Sequence, residues 1–268
     1  MLCGGDMVAG QKAGLSPAQL AAMWAAFERQ LLLPLRRAGL PVAFTLGNHD
    51  ASGSRAGGRY TFAEDRKAAE RFWRPRQDQL GLRFVDAGRF PFAYSVRQAD
   101  LFLLVWDASA PLLPAEQIAW AERSLASEAA RSAQARLVLG HLPLQAIARG
   151  RESPGEVLQQ ADVLQRLLER GGASAYISGH HHAFFPGRSG QLDLLALGAL
   201  GHGPRRLLGS GQPPRHTLTL IDLFWPRDGL PGRRTYTSYD MTSLQRIRPA
   251  ELPAQITTPG GRRLERLA

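Results

Sequence analysis

Aspartate, asparagine and histidine residues follow glycine in four short motifs of this sequence of 268 residues. The motifs are Gly5-Asp6, Gly47-Asn48-His49-Asp50, Gly140-His141 and Gly179-His180-His181-His182. They hold five of the 7 histidines and the only asparagine of the chain. Carboxylate, amide oxygen and imidazole together suit first-row divalent ions, and glycine lets the backbone turn sharply and approach an ion closely. The motifs therefore predict a metal site.

Short apolar runs precede these motifs and predict the strands that position them. The runs span residues 2–5, 42–46, 137–139 and 175–178, and a fifth run, 101–106, leads to Asp107. Helical patterns lie between them: one begins at Ser16 and Pro17, and others cover about 62–72, 114–130 and 154–169. Alternating strands and helices predict an α/β fold, in which ligands bind beyond the carboxyl ends of the strands.

The later part of the chain predicts further strands and a tail. Residues 84–96 and 101–106 are typical of an antiparallel pair, so we expect a mixed sheet. Late strands are predicted over 191–197, 216–223 and 234–239. Beyond about Arg246 the chain is rich in proline, glycine and arginine. We therefore predict one domain over 1–245 and a poorly ordered tail over 246–268.

Composition excludes several classes of protein. Hydrophobic residues make up 44% of the chain and charged residues 21%, as in globular domains. The longest apolar runs are far shorter than the ~20 residues that span a bilayer, so we expect a soluble protein without a membrane partner. The single cysteine, Cys3, excludes an internal disulfide framework. A reducing compartment is compatible with this, and a cytoplasmic location is favoured.

The strong positive charge raises the alternative of a nucleic-acid partner. The chain has 33 Lys and Arg residues against 23 Asp and Glu residues, a net charge of +10. A basic surface attracts polyanions without regard to their sequence. The arginines are, however, spread over the predicted helices and tail without the alternation of aromatic and basic residues of a recognition module. A small or medium phosphoester is the favoured partner; the sequence does not predict an oligomeric state.

The order of the motifs resembles that of the calcineurin-like metallophosphoesterase superfamily, from Gly5 to about Tyr239. Asp107 after a strand, Leu113-Pro114 and a helix with Gln117 and Trp120 are similar to the segment that links the family's motifs. The resemblance implies two mixed β-sheets in a sandwich flanked by α-helices. It also implies two divalent ions, Mn, Fe or Zn, that activate a water molecule to attack phosphorus.

The resemblance implies a role for each residue of the motifs. Asp6 would bridge the two metals, and His182 would be a ligand of the first. Asn48, His141 and His180 would complete the second metal. His49 would donate a proton to the leaving group or bind phosphate, oriented by Asp50. The middle residue of the triple-histidine motif, His181, is expected to face a neighbouring group or solvent and is not in the ligand set.

Two departures from the family pattern matter. The family has an Asp-X-His motif on its first strand that supplies two ligands of the first metal, whereas here only residues 1–5 precede Asp6. The first strand is therefore apparently missing, and Asp6 and His182 alone would hold the first metal. We expect a truncated or misassigned start; the alternative is a one-metal or inactive relative. Purple acid phosphatases carry a tyrosine where this chain has Ala9, which argues against an iron-tyrosinate site.

These features predict a metal-dependent phosphoesterase that hydrolyses a phosphomonoester or phosphodiester at a dinuclear site. One alternative is a nuclease of the same fold, and another is a non-catalytic or one-metal relative that acts as a binding or scaffold protein. The glycine-rich loop 51–60 presents Arg55 or Arg59 to phosphate, or is a plain solvated loop. His202 lines the pocket or marks a turn.

Overall fold

The strands of the computed structural model lie mostly in one large sheet, and the structure describes residues 1–227 and 232–267. The strands are β1 Leu2–Cys3, β2 Ala43–Phe44, β3 Arg55–Ala56, β4 Arg59–Tyr60, β5 Phe84–Arg89, β6 Ala93–Gln98, β7 Leu101–Val105, β8 Ala135–Gly140, β9 Ala175–Ser178, β10 Phe185–Ser189, β11 Leu192–Ala196, β12 Thr217–Phe224, β13 Arg233–Asp240, β14 Gln255–Thr257 and β15 Arg263–Arg266.

Helices connect these strands close to the predicted positions. They are α1 Pro17–Phe27, α2 Leu33–Arg37, α3 Asn48–Ala51, α4 Ala63–Trp73, α5 Ala115–Leu125, α6 Glu128–Arg131 and α7 Ala161–Arg170. A π-helical turn, Glu28–Leu32, joins α1 to α2, and 3-10 turns cover Arg74–Gln79, Pro154–Glu156 and Pro249–Glu251. α1 begins as predicted, because the side chain of Ser16 accepts a hydrogen bond from the backbone of Gln19. None of the described helices is both long and apolar enough to cross a membrane.

The large sheet has the strand order β14-β15-β10-β11-β9-β8-β7-β6-β5. Its centre is parallel, from β7 through β8 and β9 to β11. The remaining pairs on both sides are antiparallel. The sheet is therefore mixed, as predicted. Because β8 and β9 are parallel neighbours, the motifs that follow them meet at one edge of the sheet.

A second layer covers one face of the large sheet. β1 pairs with β2, and β12 pairs with β13, as two separate two-stranded sheets. Phe44 of β2 shares a buried cluster with Val105 and Leu139 of the large sheet and with Trp24 and Trp73 of helices α1 and α4. Helices α5 and α7 pack on the opposite face. The α/β class is confirmed, and the second layer of the sandwich consists of small sheets.

The predicted poorly ordered tail differs from the structure. β15 pairs with β10, so β14 and β15 extend the large sheet. Ile256 and Leu264 are each 1% exposed and pack into the core on the side of α5 and α7. Their burial stabilises this segment despite the surrounding prolines and glycines, which the composition alone did not reveal. The last residue of the predicted tail, Ala268, lies outside the described residues.

Candidate metal centre

Four loops bring the predicted ligands together. Asp6 follows β1, Asn48 begins α3 after β2, and His141 and His180 follow β8 and β9. The two pairs of strands belong to different layers, and each pair is parallel. The carboxyl ends of all four strands therefore supply the site, as expected for an α/β fold.

The imidazole of His141 lies at the centre of this group. Its Nε2 atom is 2.9 Å from Asn48 Oδ1, 3.2 Å from Asp6 Oδ2 and 3.2 Å from His180 Nδ1. One ligand atom each of Asp6, His141 and His180 lies within 4.8 Å of the others. Two oxygens and two imidazole nitrogens at this spacing fit the coordination of one divalent first-row ion. We call these four residues the ligand cluster.

Further hydrogen bonds determine which atom of Asn48, His141 and His180 faces the centre of the ligand cluster. Gln11 Oε1 accepts a hydrogen bond of 2.5 Å from the amide nitrogen of Asn48, which turns the amide oxygen inward. His141 donates from Nδ1 to the carbonyl oxygen of Gly4 at 2.7 Å and presents Nε2. His180 donates from Nε2 to Glu156 Oε2 at 2.7 Å and presents Nδ1. Such partners set the tautomer and orientation of metal-binding histidines.

Backbone strain is concentrated at the same loops. Asp6, His180 and His182 adopt left-handed conformations with φ of 56°, 62° and 52°. Gln11, which holds Asn48, does the same with φ of 61°. Such conformations cost free energy in residues other than glycine, and they persist where the surrounding structure imposes them, often at functional sites. This strain supports the assignment of these loops to a site.

Glycine is required where the two loops of the small sheet meet. Asp6 Oδ1 accepts a hydrogen bond of 3.0 Å from the backbone of His49. A methyl group on Gly47 would collide with Asp6 Oδ1, and one on Gly5 would lie 2.5 Å from His141 Nδ1. The glycines of the motifs therefore permit the close approach of the loops, as the sequence predicted.

The electrostatics of Asp6 and His180 favour their metal-binding protonation states. At His141, burial lowers the pKa but the carboxylate of Asp6 outweighs it, so the pKa lies above its ordinary value and a metal ion would displace a proton there. Burial, together with the positive charges of His141 and Arg151, lowers the pKa of His180 to about 2, so this imidazole is neutral. Burial alone would raise the pKa of Asp6, but His141 reverses the effect, and the pKa lies well below its ordinary value. Metal ions bind neutral imidazole and ionised carboxylate.

Glu156 is a functional candidate that the sequence did not single out. Its Oε2 atom accepts hydrogen bonds from His180 at 2.7 Å and from Arg151 Nη1 at 2.5 Å. It lies in a 3-10 turn, Pro154–Glu156, outside every glycine motif. A single loop carboxylate carries no periodic or spacing signal, so only the fold reveals its contact with His180.

The structure gives Asp50 a role other than the predicted one. Asp50 is 1% exposed, and its two oxygens accept hydrogen bonds of 2.9 Å from the backbones of Val8 and Gly47. His49 instead contacts the carbonyl oxygen of Gly10 through Nδ1 at 3.1 Å. Asp50 therefore joins the two loops, and Gly10 orients His49. Burial raises the pKa of Asp50 to about 7, and the charge of Asp6 adds to this effect.

His181 and His182 lie beside the ligand cluster. His182 contacts the carbonyl oxygen of Gly203 through Nδ1 at 2.9 Å. Among residues 1–227 and 232–267, Asp6, His141 and His180 form the only group of three metal-type side chains, so His182 as a ligand of a first metal stays a prediction. His181 is fully buried and contacts the carbonyl oxygen of Glu156 at 2.9 Å, so it does not face solvent.

The loop 51–60 has a defined conformation. β3 and β4 form a hairpin, and the guanidinium of Arg55 lies 4.1 Å from the centre of the Tyr60 ring. Arg66 of α4 also lies against this ring, at 4.2 Å, and pairs with Asp107 at 2.8 Å. Asp107 therefore anchors a buried arginine next to the loop. His202 is exposed. A role of Arg55 or Arg59 with phosphate stays a prediction.

The family model described as calcineurin-like phosphoesterase matches residues 1–184. The chain belongs to this family. The match covers the motifs that supply Asp6, Asn48, His141 and His180, and the resemblance read from the sequence is confirmed. No curated protein matches the chain.

Solved structures share the fold. A purple acid phosphatase, PPD1 from yellow lupin (Lupinus luteus) seeds, has a TM-score of 0.60 at 16% identity, and the match covers 86% of this chain. This chain spans 43% of the lupin protein, and the likeness shows the fold alone. A 5'-nucleotidase of Staphylococcus aureus, solved with alpha-ketoglutarate, has a TM-score of 0.39 at 15% identity over 74% of this chain and 39% of its own. That score is too low to support an argument.

Proposed function

We propose that the protein is a metal-dependent hydrolase of small or medium phosphomonoesters or phosphodiesters. The observation that carries the proposal is the convergence of Asp6, Asn48 and His180 on His141 Nε2, at 2.9 to 3.2 Å. The family is that of calcineurin-like phosphoesterases, which supports hydrolysis of phosphoester bonds as the reaction. The substrate, the metal (Mn, Fe or Zn) and a second, more weakly held metal ion are part of the proposal.

The residues of the cluster would perform distinct tasks. A divalent ion held there would lower the pKa of bound water toward neutrality and polarise phosphoryl oxygens. Asp6 and Asn48 would hold it through oxygens, and His141 and His180 through nitrogens. His49 adjoins Asn48 in the chain, and its Nδ1 contacts Gly10, so its Nε2 is left to donate a proton to the departing oxygen or to bind phosphate.

The test is hydrolysis by the full chain loaded with manganese. We expect turnover of p-nitrophenyl phosphate or its bis-ester, and loss of that turnover in His141→Ala, which removes the central ligand. His202→Ala, at an exposed histidine outside the cluster, serves as the control. If the wild type hydrolyses neither ester with manganese, iron(II) or zinc, the proposed reaction is wrong.

Two alternatives have specific support. The net charge of +10 favours a nuclease of the same fold. The single group of metal-type side chains among the described residues favours a one-metal or non-catalytic relative that binds a partner. The salt dependence of DNA binding tests the nuclease alternative, and the activity of His49→Ala tests the non-catalytic one.

A further inference from the structure

Two arginines beside the metal centre have buried donors without acceptors. The Nε atoms of Arg151 and Arg205 are buried and have no hydrogen-bond partner among residues 1–227 and 232–267. A buried donor without an acceptor costs about 1–3 kcal/mol, more when the group is charged. Such groups are uncommon in folded proteins, and beside a functional site a bound ligand is one source of the missing acceptor.

The loops that carry these arginines are held side by side. The backbone of Arg149 donates to the carbonyl oxygen of Arg206 at 2.9 Å, and Ala148 forms an antiparallel bridge with Leu207. A methyl group on Gly150 would lie 3.5 Å from Arg205 Nη1. The guanidinium of Arg205 therefore lies against the turn that precedes Arg151.

Hydrogen bonds connect both arginines to the triple-histidine motif. The backbone of Arg205 donates to the carbonyl oxygen of His182 at 2.9 Å. Arg151 Nη1 contacts Glu156 Oε2 at 2.5 Å, and the same oxygen contacts His180 Nε2 at 2.7 Å. The backbone of Arg205 and the side chain of Arg151 therefore fix the position of the two loops relative to the histidine motif.

The charge of this region is not balanced by its own carboxylates. Arg205 forms no ion pair with any residue of 1–227 or 232–267, and Arg151 has only Glu156. The two loops carry four arginines, Arg149, Arg151, Arg205 and Arg206, against Glu152 and Glu156. An anion is the ligand that this excess charge would attract.

An anion at Arg151 would be separate from a phosphoryl group at the ligand cluster. His180 directs Nδ1 to the ligand cluster and Nε2 to Glu156, so its ring and the glutamate stand between Arg151 and the cluster. A phosphate group at the ligand cluster would therefore be separated from Arg151 by these two side chains. A substrate with two anionic groups can contact both places, because Arg grips phosphate oxygens through two parallel donors.

We propose that Arg151 and Arg205 form a binding site for a second phosphate group of the substrate. The proposal rests on the proposed phosphoester hydrolysis and adds the substrate class, a phosphoester that bears another phosphate. Arg205 supplies the uncompensated charge, and Arg151 joins the site to Glu156 and thereby to His180.

Binding of inorganic pyrophosphate to the full chain, in buffers stripped of metal by a chelating resin, tests the site without catalysis. We expect Arg205→Ala to weaken binding at least about tenfold, as for loss of a charge-assisted contact. Arg206→Ala removes the same charge from the adjacent, exposed residue and should change binding less than about twofold. Equal losses in both variants, or none in Arg205→Ala, would overturn the proposal. Arg205→Lys keeps the charge but lacks the two parallel donors of arginine. It replaces Arg205→Ala in this comparison if the alanine variant does not fold.

Kinetics separate this proposal from the proposed reaction. With manganese, Arg205→Ala should lower kcat/KM at least about tenfold for an aryl ester that bears a second phosphate and less than about twofold for p-nitrophenyl phosphate. Equal effects on both substrates would contradict a second-phosphate site. If the wild type hydrolyses neither, the reaction is wrong, and the pyrophosphate measurement still decides the anion site.

Discussion

The donor atoms of the candidate centre are selected by their hydrogen-bond partners. Gln11 occupies the amide nitrogen of Asn48, and Glu156 occupies Nε2 of His180. Oδ1 of Asn48 and Nδ1 of His180 then face His141. Hydrogen bonds within the protein therefore hold these residues in the orientation that an ion requires, which reduces the entropy cost of binding it.

His49→Ala tests the proposed proton donor. We expect kcat to fall by about 10²–10⁴-fold, as for removal of a general acid, because the leaving oxygen then departs without a proton. Within the part of the chain that the structure describes, the side chain of His49 makes one hydrogen bond, with Gly10, so thermal unfolding should change little. The scaffold alternative predicts unchanged partner binding and no activity in either protein. Unchanged kcat in the variant would refute the role of His49.

Glu156→Gln tests the residue behind His180. The amide keeps the shape but weakens the hold on Nε2 of His180, so we expect manganese affinity to fall by about 10–100-fold. Calorimetric titration measures the affinity, and the ¹⁵N shifts of His180 report its tautomer in the metal-free chain. Glu152→Gln, an exposed carboxylate of the same loop, is the matched control. If Glu156→Gln and Glu152→Gln bound manganese with equal affinity, Glu156 would not orient His180 for metal binding.

The carboxyl-terminal strands are the clearest case in which an element depends on a few buried side chains. β14 and β15 are short, and Ile256 and Leu264 are their residues with 1% exposure. β15 covers the edge of β10, which would otherwise present unpaired backbone groups. The segment therefore stabilises the large sheet although its composition is typical of a tail.

Leu264→Ala measures that contribution. We expect the free energy of unfolding to fall by about 2–5 kcal/mol, because a cavity remains in a packed core. Leu244→Ala makes the same chemical change at a side chain that is 67% exposed, and should stay within about 0.5 kcal/mol. Denaturant unfolding of both variants provides the comparison. A loss near zero in both would restore the poorly ordered tail predicted from sequence.

Among the described residues, one group of three metal-type side chains is present: Asp6, His141 and His180. We therefore expect about one tightly bound manganese ion per chain by elemental mass spectrometry, because Asp6 and His182 alone are too few for a tight second site. His141→Ala should bind none. Two tight ions in the wild type would mean that ligands other than those identified complete the dinuclear site.

The net charge of the molecule gives a test of the nuclease alternative. If the protein acts on small esters, its kcat/KM should change little when salt rises from about 50 to about 200 mM. A nuclease that contacts six to ten phosphates would lose about 10³–10⁵ in DNA affinity over that range. Fluorescence anisotropy with labelled DNA measures the slope. Specific, salt-steep binding with cleavage would favour the nuclease.

The sequence predicted the strands that precede the metal motifs, the mixed sheet and the loops of those motifs, because apolar runs and glycine-ligand pairs are local patterns. It predicted one strand over 84–96, where the structure has the antiparallel pair β5 and β6. It did not reveal Glu156 or Gln11, since their contacts with His180 and Asn48 join distant loops. The structure does not show the predicted contact of Asp50 with His49, because the carboxylate of Asp50 accepts hydrogen bonds from the backbones of Val8 and Gly47. The strands of the tail depend on contacts that composition does not encode.

The four residues of the ligand cluster come from two layers of the fold. Asp6 and Asn48 follow strands of the small sheet, whereas His141 and His180 follow strands of the large one. A bound cation would therefore act as a cross-link between the layers. At a concentration about 100 times its Kd, such an ion adds about 2.7 kcal/mol to stability. Depletion of metal would then loosen the docking of the two layers and would affect the shape of the protein as well as its chemistry.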